Sequence, residues 1–573
     1  MHSPDRVRNL LFAAALLGFS ALTACTARLD GQGQPGGTPL TSGGGTNAGG
    51  NSSGGSSTTQ ATDPGRVTLH RLNRAEYNNT VRDLLGTKLT PADDFPIDDR
   101  GFGFDNMADV LTLSPLHLSV YHTAAKALVA EALGNAAQRA AIVTCDLAQG
   151  DACVRQVLKG FAYRAWRRPV ADADVERLLA VVNVAKANAD TVEVGLGLAL
   201  RAVLLSPHFT FRVELDADPT SLTPHPLNAY ELASRLSYFL WSSTPDAALL
   251  GSAESGALTT PAALKEQAAR LLQDTRALSL VDNFAGQWLS LRAVDSLQPD
   301  PMLFPNVDAP LLSAMRSEAE LLFRDVAFQG TPLVQLLTAN YTYLNDRLAL
   351  HYGLPAVGKT ELTRVELTGN AQRGGFLTQG SFLTLTSHVN RTSPVVRGKW
   401  VLDNLLCATI PPPPANVNLA GVSMAKEQGL TQRQALAQHR ADPTCNSCHQ
   451  LMDPIGLGLE NYNAIGAYRD MDAGKPIDPT GQLPTGETFA GAKELAALVA
   501  VKPEFARCTA SKLYSYALGR PPVQAAGHLD GPTLDGLVDA LTKSNFAFSE
   551  LTTRIVTAPT FTSRRGEPAG GTP

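Results

Sequence analysis

The sequence lacks the features that would place it in several common functional classes. It has no excess of basic residues, because 48 lysines and arginines stand against 53 acidic residues and give a net charge of −5. Proteins that bind nucleic acid usually present a basic surface, so we expect no nucleic acid partner. Strings that match GxSxG (residues 50–54) and GxGxxG (31–36) lie in a glycine-rich, low-complexity segment, and a GxxxxGK[ST] string lies at 353–360. Each is a weak signal without the strand and helix that must flank it. No apolar run beyond the N-terminus is long enough to span a bilayer. The charge balance disfavours nucleic-acid binding, and the lack of a second long apolar run disfavours an integral membrane protein.

Cysteine is also scarce, with seven residues in 573, yet two of them lie in the most informative motif. Cys445-Asn446-Ser447-Cys448-His449 is a CxxCH sequence, which attaches a c-type haem. The two thiols can form thioethers with the vinyl groups of one porphyrin, and the histidine can bind the iron. Zinc sites usually need a second ligand pair, and the sequence has no second CxxC, HxxxH or CxxH. The motif predicts one covalent haem c with His449 as the proximal iron ligand. A disulfide or a metal knuckle is the alternative.

The sixth ligand of the predicted iron has several candidates, and they imply different chemistry. Met471 has enough chain before it to reach the far face of the haem, and His388 or His439 could reach that face from the N-terminal side. Met452 follows His449 by three residues, so a continuous helix would place it on the proximal side. A methionine ligand raises the reduction potential and suits electron transfer, whereas an open position permits peroxide or oxygen chemistry. The sequence does not choose among these ligands and an open iron.

The N-terminus predicts export. Two arginines precede an apolar run at residues 10–19, which has the length and charge of a signal peptide. The run leads to Leu22-Thr23-Ala24-Cys25, which resembles a bacterial lipobox. We therefore expect residues 1–25 to form a lipoprotein signal peptide that ends at Cys25, the residue that is acylated. An ordinary secretory signal cleaved nearby is the alternative.

A flexible tether is predicted after the lipid site. Residues 26–65 are rich in glycine, serine and threonine and cannot bury a core. Thr26, rather than Asp, follows the cysteine, and resemblance to known lipoproteins then favours outer-membrane sorting. We expect an exported protein that is lipid-anchored to the bacterial outer membrane, on the periplasmic face or at the cell surface. The lipid is its only predicted membrane attachment.

The remaining four cysteines form an even set in an oxidising compartment, where disulfides are stable. Cys145 and Cys153 bracket a short polar loop, so a local bridge between them is the preferred pairing. Cys407 would then pair with Cys508 and close a long loop around the CxxCH motif. Four buried thiols are the alternative.

The folded body is predicted to be mainly α-helical. Asn73 and Glu76 fit an N-cap and capping box for a helix that runs to Leu85 and stops at Gly86. The same pattern recurs at Asn228. Two more helix starts are predicted at Thr260-Pro261 and Asp308-Ala309-Pro310. Strand signals are short and scattered.

Two charged clusters are candidates for ligand binding. Residues 93–106 combine aspartates and glycines, which suit Ca²⁺, but their spacing does not match an EF-hand, and a solvated acidic turn is the preferred interpretation. Four basic residues before the CxxCH motif are candidates for binding haem propionates, because basic side chains suit carboxylates, and a solvated face is the alternative. They are Arg373, Arg391, Arg397 and Lys399.

Several segments together resemble one bacterial family. They are Leu72-Asn73-Arg74-Ala75-Glu76-Tyr77, Tyr163-Arg164-Ala165-Trp166-Arg167-Arg168-Pro169, Leu236-Ser237-Tyr238-Phe239-Leu240-Trp241, Arg391-Thr392-Ser393-Pro394, the block from 445 to 469, and Tyr514-Ser515-Tyr516-Ala517-Leu518-Gly519-Arg520. In this order they are similar to the planctomycete surface-type cytochrome c proteins, also common in myxobacteria. These proteins contain serial domains of unknown function around one haem-motif domain. The resemblance covers nearly all of residues 66–560, and it implies a c-type haem and an exported location but says little about substrate.

The expected architecture is a series of small helical domains with a cytochrome-like segment near the C-terminus. The predicted segments are an N-terminal helical domain at 66–135, a domain with the Cys145–Cys153 bridge at 140–215, a helical domain at 222–355, the haem domain at 368–472, a C-terminal helical domain at 480–560 and a disordered tail at 561–573.

Electron transfer at the cell envelope is the expected function, with an electron-transfer protein or an extracellular polymer as partner. One alternative is a haem-dependent oxidase or peroxidase that acts on an extracellular or envelope polymer. The other is a surface binding or scaffold protein in which haem is structural or absent. The long stretch before the haem motif exceeds what a haem carrier needs and keeps both alternatives open, so whether the protein is an enzyme is undecided.

Overall fold

Helices account for most of the secondary structure in the computed structural model, which describes residues 63–65, 69–408, 410, 429–523 and 528–566. The mainly α-helical class predicted from the sequence is confirmed. The predicted signal peptide, Cys25 and the tether up to residue 62 lie outside the described residues.

The helices follow one another along the whole described chain. The first group is α1 (Arg74–Leu85), α2 (Pro115–Gly134), α3 (Ala136–Ile142), α4 (Asp151–Trp166), α5 (Asp172–Ala187), α6 (Val192–Leu205) and α7 (Pro207–Thr210). The second group is α8 (Ala229–Trp241), α9 (Ala247–Glu254), α10 (Pro261–Gln273), α11 (Gly286–Trp288), α12 (Ala309–Phe328), α13 (Gln335–Thr338), α14 (Asp346–His351) and α15 (Gly380–Leu385). The third group is α16 (Pro394–Leu405), α17 (Gln432–His439), α18 (Pro443–Leu457), α19 (Ala492–Ala500), α20 (Pro503–Leu518), α21 (Asp530–Lys543), α22 (Phe548–Val556) and α23 (Pro559–Thr562).

Short helical turns connect several of these helices. The 3-10 helices are Pro91–Asp94, Ala108–Val110, Leu147–Gln149, Ala257–Thr259, Thr275–Leu278, Leu291–Ser296 and Phe376–Thr378, and Leu280–Ala285 is a π-helix.

The predicted helix caps are present. In α1 the amide of Glu76 donates to the Asn73 side chain at 2.8 Å, the Glu76 carboxylate accepts from the Asn73 amide at 3.1 Å, and Gly86 ends the helix with a φ of +67°. Asn228 forms the same capping box at the start of α8. Thr260 and Asp308 cap α10 and α12, each with a proline in the first turn. Each cap satisfies backbone N–H groups that otherwise have no partner within the helix.

Among the described residues, the strands are two to four residues long and form five two-stranded antiparallel sheets. The pairs are β1 (His70–Arg71) with β2 (Phe211–Arg212), β3 (His225–Pro226) with β10 (Ser563–Arg564), β4 (Tyr341–Leu344) with β5 (Thr363–Glu366), β6 (Met471–Asp472) with β7 (Lys475–Pro476), and β8 (Thr480–Gln482) with β9 (Thr488–Ala490). The first two pairs join segments that are far apart in sequence.

Hydrophobic contacts cross the boundaries of the predicted segments. One core is formed mainly by α1–α7, a larger core contains apolar side chains from residues 104–561, and a small core lies around β4 and α14. In the large core, the ring of Phe284 lies 5.8 Å from that of Phe104 and 5.6 Å from that of Tyr516. These three rings come from three different predicted domains, so those segments share one core.

The folded body includes residues at both ends that the sequence predicted to lie outside it. Phe561 is fully buried and β10 pairs with β3, so the predicted disordered tail does not begin at 561. Residues 63–65, predicted as the last part of the tether, contact the folded body, and the Arg520 guanidinium donates to the Pro64 carbonyl at 2.9 Å. Residues 567–573 lie outside the described part.

Within the described ranges, no helix combines the length and the apolar character that a membrane crossing needs.

Candidate functional site

The CxxCH motif lies in the first two turns of α18. The Asp442 side chain caps this helix by accepting from the amide of Thr444 at 2.7 Å, and Pro443 occupies its first turn. Cys445, Cys448 and His449 have the i, i+3, i+4 spacing that places them on one helical face. Both cysteines and the histidine are partly buried. The helix therefore presents two thiols and an imidazole together.

A buried carboxylate holds the imidazole of His449. Its Nδ1 atom lies 2.9 Å from Oδ1 of Asp453, one turn further along α18, and the Asp453 side chain is fully buried. An ionised carboxylate can only accept hydrogen bonds, so Nδ1 carries the proton and the neutral ring keeps its lone pair on Nε2. Such carboxylate partners orient metal-binding histidines and raise their basicity.

The ring of His439 packs directly against that of His449. The ring centroids are 4.6 Å apart and the planes meet at 78°. Burial and the neighbouring His449 lower the pKa of His439. Of the three distal candidates, His439 is thus brought into contact with the proximal histidine. Because the rings touch, His439 would have to move before a haem could lie between them.

The other two distal candidates lie elsewhere on the surface. Met471 begins β6 and is about half exposed, at 47%. His388 is exposed in a tight turn whose backbone amide donates to the Arg391 carbonyl at 2.9 Å. Neither is in contact with His449 in the described structure, and the distal ligand stays a prediction.

Two of the four basic residues considered for haem propionates are buried and donate to backbone carbonyls instead. Arg397 is fully buried and donates to the carbonyls of Leu459 at 2.7 Å, Tyr462 at 2.8 Å and Asn463 at 2.8 Å. Burial lowers its pKa to about 10. Arg397 therefore binds the loop after α18 to α16, and it is not available to a propionate.

Arg373 is the second of these buried arginines. Its guanidinium donates to the carbonyls of Thr378 at 2.6 Å and Gly466 at 2.7 Å, and it lies 3.9 Å from the centroid of the Tyr352 ring. Of the remaining two basic residues, Lys399 is paired with Asp403 on the surface of α16 and Arg391 is half-buried. The burial of two arginines could not be read from the sequence, because their carbonyl partners are up to 93 residues away.

The acidic segment 93–106 is not simply a solvated turn. Asp98 is buried and pairs with Arg71 at 2.7 Å, and Asp105 pairs with Arg292 at 2.6 Å. The side chain of Gln287 also donates to Asp105 at 3.0 Å. Two carboxylates of this segment thus tie it to other parts of the fold. In the described part of the chain, no group of three or more His, Cys, Asp or Glu side chains could hold a metal ion. Calcium stays an untested prediction.

In the described part of the chain, two disulfides join the four cysteines outside the CxxCH motif. Cys145 pairs with Cys153 and Cys407 pairs with Cys508, with Cα atoms 5.8 and 5.2 Å apart. These are the pairings preferred from the sequence. The second bridge connects the end of α16 to α20 and encloses the CxxCH motif within its loop.

The residues of the motif fit a covalently attached haem better than a lone metal ion. The two thiols and His449 are the complete protein set for attachment and proximal ligation, and the Asp453 contact leaves Nε2 as the ligating atom. Asp453, which the CxxCH motif does not include, is also a site residue. Its i+4 position after His449 on a helix was the signal that could have identified it.

Five family models match the chain in series, each described as a protein of unknown function. They are DUF1587 at residues 70–134, DUF1595 at 153–214, DUF1592 at 227–354, DUF1588 at 373–472 and DUF1585 at 485–561. These are the planctomycete cytochrome-c-associated domains. The CxxCH helix lies within the DUF1588 match. No curated protein and no solved structure matches the chain.

Proposed function

We propose that this protein is an exported, lipid-anchored c-type haem protein that transfers electrons at the cell envelope. The observation that carries the proposal is the arrangement on α18, where Cys445, Cys448 and His449 share a face and buried Asp453 fixes the histidine tautomer. The serial cytochrome-c-associated domains support the same function.

Each side chain has a distinct role in this proposal. Cys445 and Cys448 form the thioethers, His449 binds iron through Nε2, and Asp453 holds the ring by its Nδ1 proton. When bound, the haem supplies an iron that alternates between the ferric and ferrous states. The partner is an electron-transfer protein or an extracellular polymer, and Cys25 carries the lipid.

The packing around the CxxCH helix supports a fixed position for the haem. Helix α18 is packed against α16, and Cys448 contacts the large hydrophobic core. The Cys407–Cys508 bridge joins the end of α16 to α20. A haem held on packed helices keeps its geometry when the charge of its iron changes. A rigid site of this kind favours rapid electron transfer over a reaction that needs the site to rearrange around a substrate.

The first experiment is to express the full chain with c-type maturation machinery and test for covalent haem. We expect haem to stay with the polypeptide under denaturing conditions, and the paired variant Cys445→Ala/Cys448→Ala to lose it. The paired variant Cys145→Ala/Cys153→Ala is the matched control, because it removes two other thiols and should keep haem. No covalent haem in the wild type would overturn the proposal and favour the scaffold alternative.

The second experiment separates electron transfer from oxygen or peroxide chemistry. We expect a low-spin spectrum that carbon monoxide does not change in the reduced protein, because six-coordinate iron has no open position. Immediate carbon monoxide binding would contradict electron transfer and favour an oxidase or peroxidase. The variants Met471→Ala, His388→Ala and His439→Ala then identify the distal ligand, since only the loss of that ligand should open the iron to carbon monoxide.

A further inference from the structure

The buried carboxylate behind His449 has an unusual electrostatic setting. Oδ1 of Asp453 accepts from the His449 ring, but Oδ2 has no hydrogen-bond partner among the described residues, although the side chain is fully buried. Burying an ionised carboxylate is unfavourable unless its charge is compensated. In the described structure, Oδ2 forms an ion pair only with Arg440, whose Nε atom lies 3.8 Å away.

We propose that Asp453 and Arg440 are positioning residues that set the reduction potential of the haem in opposite directions. This inference rests on the proposed function, because it acts on the iron that His449 would bind. Neither residue is a ligand, and both act through the His449 ring. The Asp453 carboxylate lowers the potential, and Arg440 partly offsets it.

The sign of the Asp453 effect follows from charge. The ferric haem carries one more positive charge than the ferrous haem, so a nearby buried negative charge stabilises the ferric state. A hydrogen bond from Nδ1 to a carboxylate also increases the electron donation of the ring to a metal. Both effects make the iron harder to reduce. The missing hydrogen bond at Oδ2 matters because no second donor draws the charge of the carboxylate away from the ring.

The sign of the Arg440 effect is the reverse. Its guanidinium lies near Oδ2, the carboxylate oxygen that His449 does not contact, and adds positive charge there. The side chain is 25% exposed, so water and salt screen its charge more than they screen that of the buried aspartate. Arg440 should therefore raise the potential by a smaller amount, and this amount should decrease as ionic strength rises.

The test is a redox titration of the haem-loaded full chain and three variants. Asp453→Asn keeps an oxygen that can accept from Nδ1 but removes the charge. At a fixed ambient potential, we expect this variant to lower the ferric-to-ferrous ratio at least about tenfold. For one electron, this change corresponds to a reduction potential about 59 mV higher. We expect Arg440→Gln to shift the ratio about threefold towards ferric at low salt, and Arg440→Lys to restore most of the wild-type value.

The control for a charge change elsewhere is Glu266→Gln, an exposed carboxylate on α10. If Asp453 and Arg440 had a purely structural role, their variants would not shift the reduction potential in opposite directions. Nor would the potential depend on salt in the Arg440 variants alone. If Asp453→Asn does not fold, the Arg440 variants alone decide, since they alter a partly exposed side chain. Potentials equal to that of Glu266→Gln in all variants with covalent haem would overturn this inference only. A wild-type chain without covalent haem would overturn the proposed function as well.

Discussion

Gly398 and Met452 bring α16 and α18 into backbone contact. A Cβ atom added to Gly398 would lie 1.9 Å from the carbonyl oxygen of Met452, and one added to Gly456 would lie 1.8 Å from the carbonyl oxygen of Pro394. Only glycine fits at these two positions, because the neighbouring atoms belong to the backbone and cannot rotate away. The helix that carries the CxxCH motif is thus fixed by reciprocal glycine contacts beyond the motif.

The substitution Gly398→Ala should destabilise the protein. The added methyl group forces α16 and α18 apart, which we expect to reduce the free energy of unfolding by about 2–3 kcal/mol. Thermal unfolding followed by circular dichroism measures this. Gly536→Ala in α21 is the matched control, since nothing lies within 4 Å of its added Cβ atom, and it should stabilise by about 0.5–1 kcal/mol. Equal melting temperatures for the two variants would contradict the close packing of α16 and α18.

The substitution His449→Gly should separate haem attachment from iron ligation. The two thioethers do not involve the histidine, so covalent haem should remain while the low-spin spectrum is lost. Added imidazole should restore that spectrum by occupying the vacated position. The exposed His122 provides a control, and His122→Ala should leave the spectrum unchanged. A wild-type spectrum in His449→Gly without imidazole would show that another residue is the proximal ligand.

The two disulfides should contribute unequally to stability. In the chain-entropy description, a bridge stabilises more when it closes a longer loop. Cys407–Cys508 spans 101 residues and Cys145–Cys153 spans eight, which predicts about 4–5 and about 2–3 kcal/mol respectively. The alanine double variants compared by thermal unfolding should show the larger loss for the long bridge. The reverse order would mean that the short bridge is needed for local structure that the entropy argument omits.

The buried Glu318 should make stability depend on pH. Its carboxyl group accepts from the hydroxyl groups of Thr342 and Tyr352, each at 2.5 Å, and burial raises its pKa to about 7 from an ordinary value of 4.5. The unfolded chain ionises this group first, near pH 4.5. The stability contribution of Glu318 is therefore fully present below pH 4.5 and is lost as pH rises to about 7.

The variant Glu318→Gln tests this expectation because glutamine does not ionise. The difference in unfolding free energy between the variant and the wild type should change by about 3 kcal/mol in favour of the variant between pH 4.5 and pH 7. Chemical denaturation at these two pH values measures the change, with exposed Glu266→Gln as the control. A difference that does not vary with pH would show that Glu318 ionises normally in the folded protein.

The sequence predicted local structure well because local structure depends on neighbouring residues. The capping boxes at Asn73 and Asn228, the end of α1 at Gly86 and the helix starts at Thr260 and Asp308 were all readable from a few adjacent side chains. The pairing of Cys145 with Cys153 was readable for the same reason. The helical class of the protein followed from these signals.

Long-range pairing could not be read in the same way. The ion pair between Asp105 and Arg292 joins residues 187 positions apart, and the sequence near Asp105 contains no sign of its partner. Arg397 was considered for a propionate because an arginine near a haem motif is usually expected to meet a charged group. Instead it binds backbone carbonyls and pairs with the buried carboxylate of Glu460 at 3.4 Å, and the positions of these partners depend on the tertiary fold. At the candidate site, the thiols and His449 were predicted, while the charges behind the histidine were not.

The first and last residues of the described part of the chain lie side by side. The Nε atom of Arg565 donates to Oδ1 of Asp63 at 2.6 Å. A short peptide linking these two positions would close the body into a ring, and opening that ring at an exposed loop would give a circular permutant with its native packing retained. The same proximity means that a reporter fused after residue 566 would sit beside the point where the chain enters the body from its N-terminal side. Such a reporter would therefore measure the distance between residue 63 and any surface to which the N-terminus is attached.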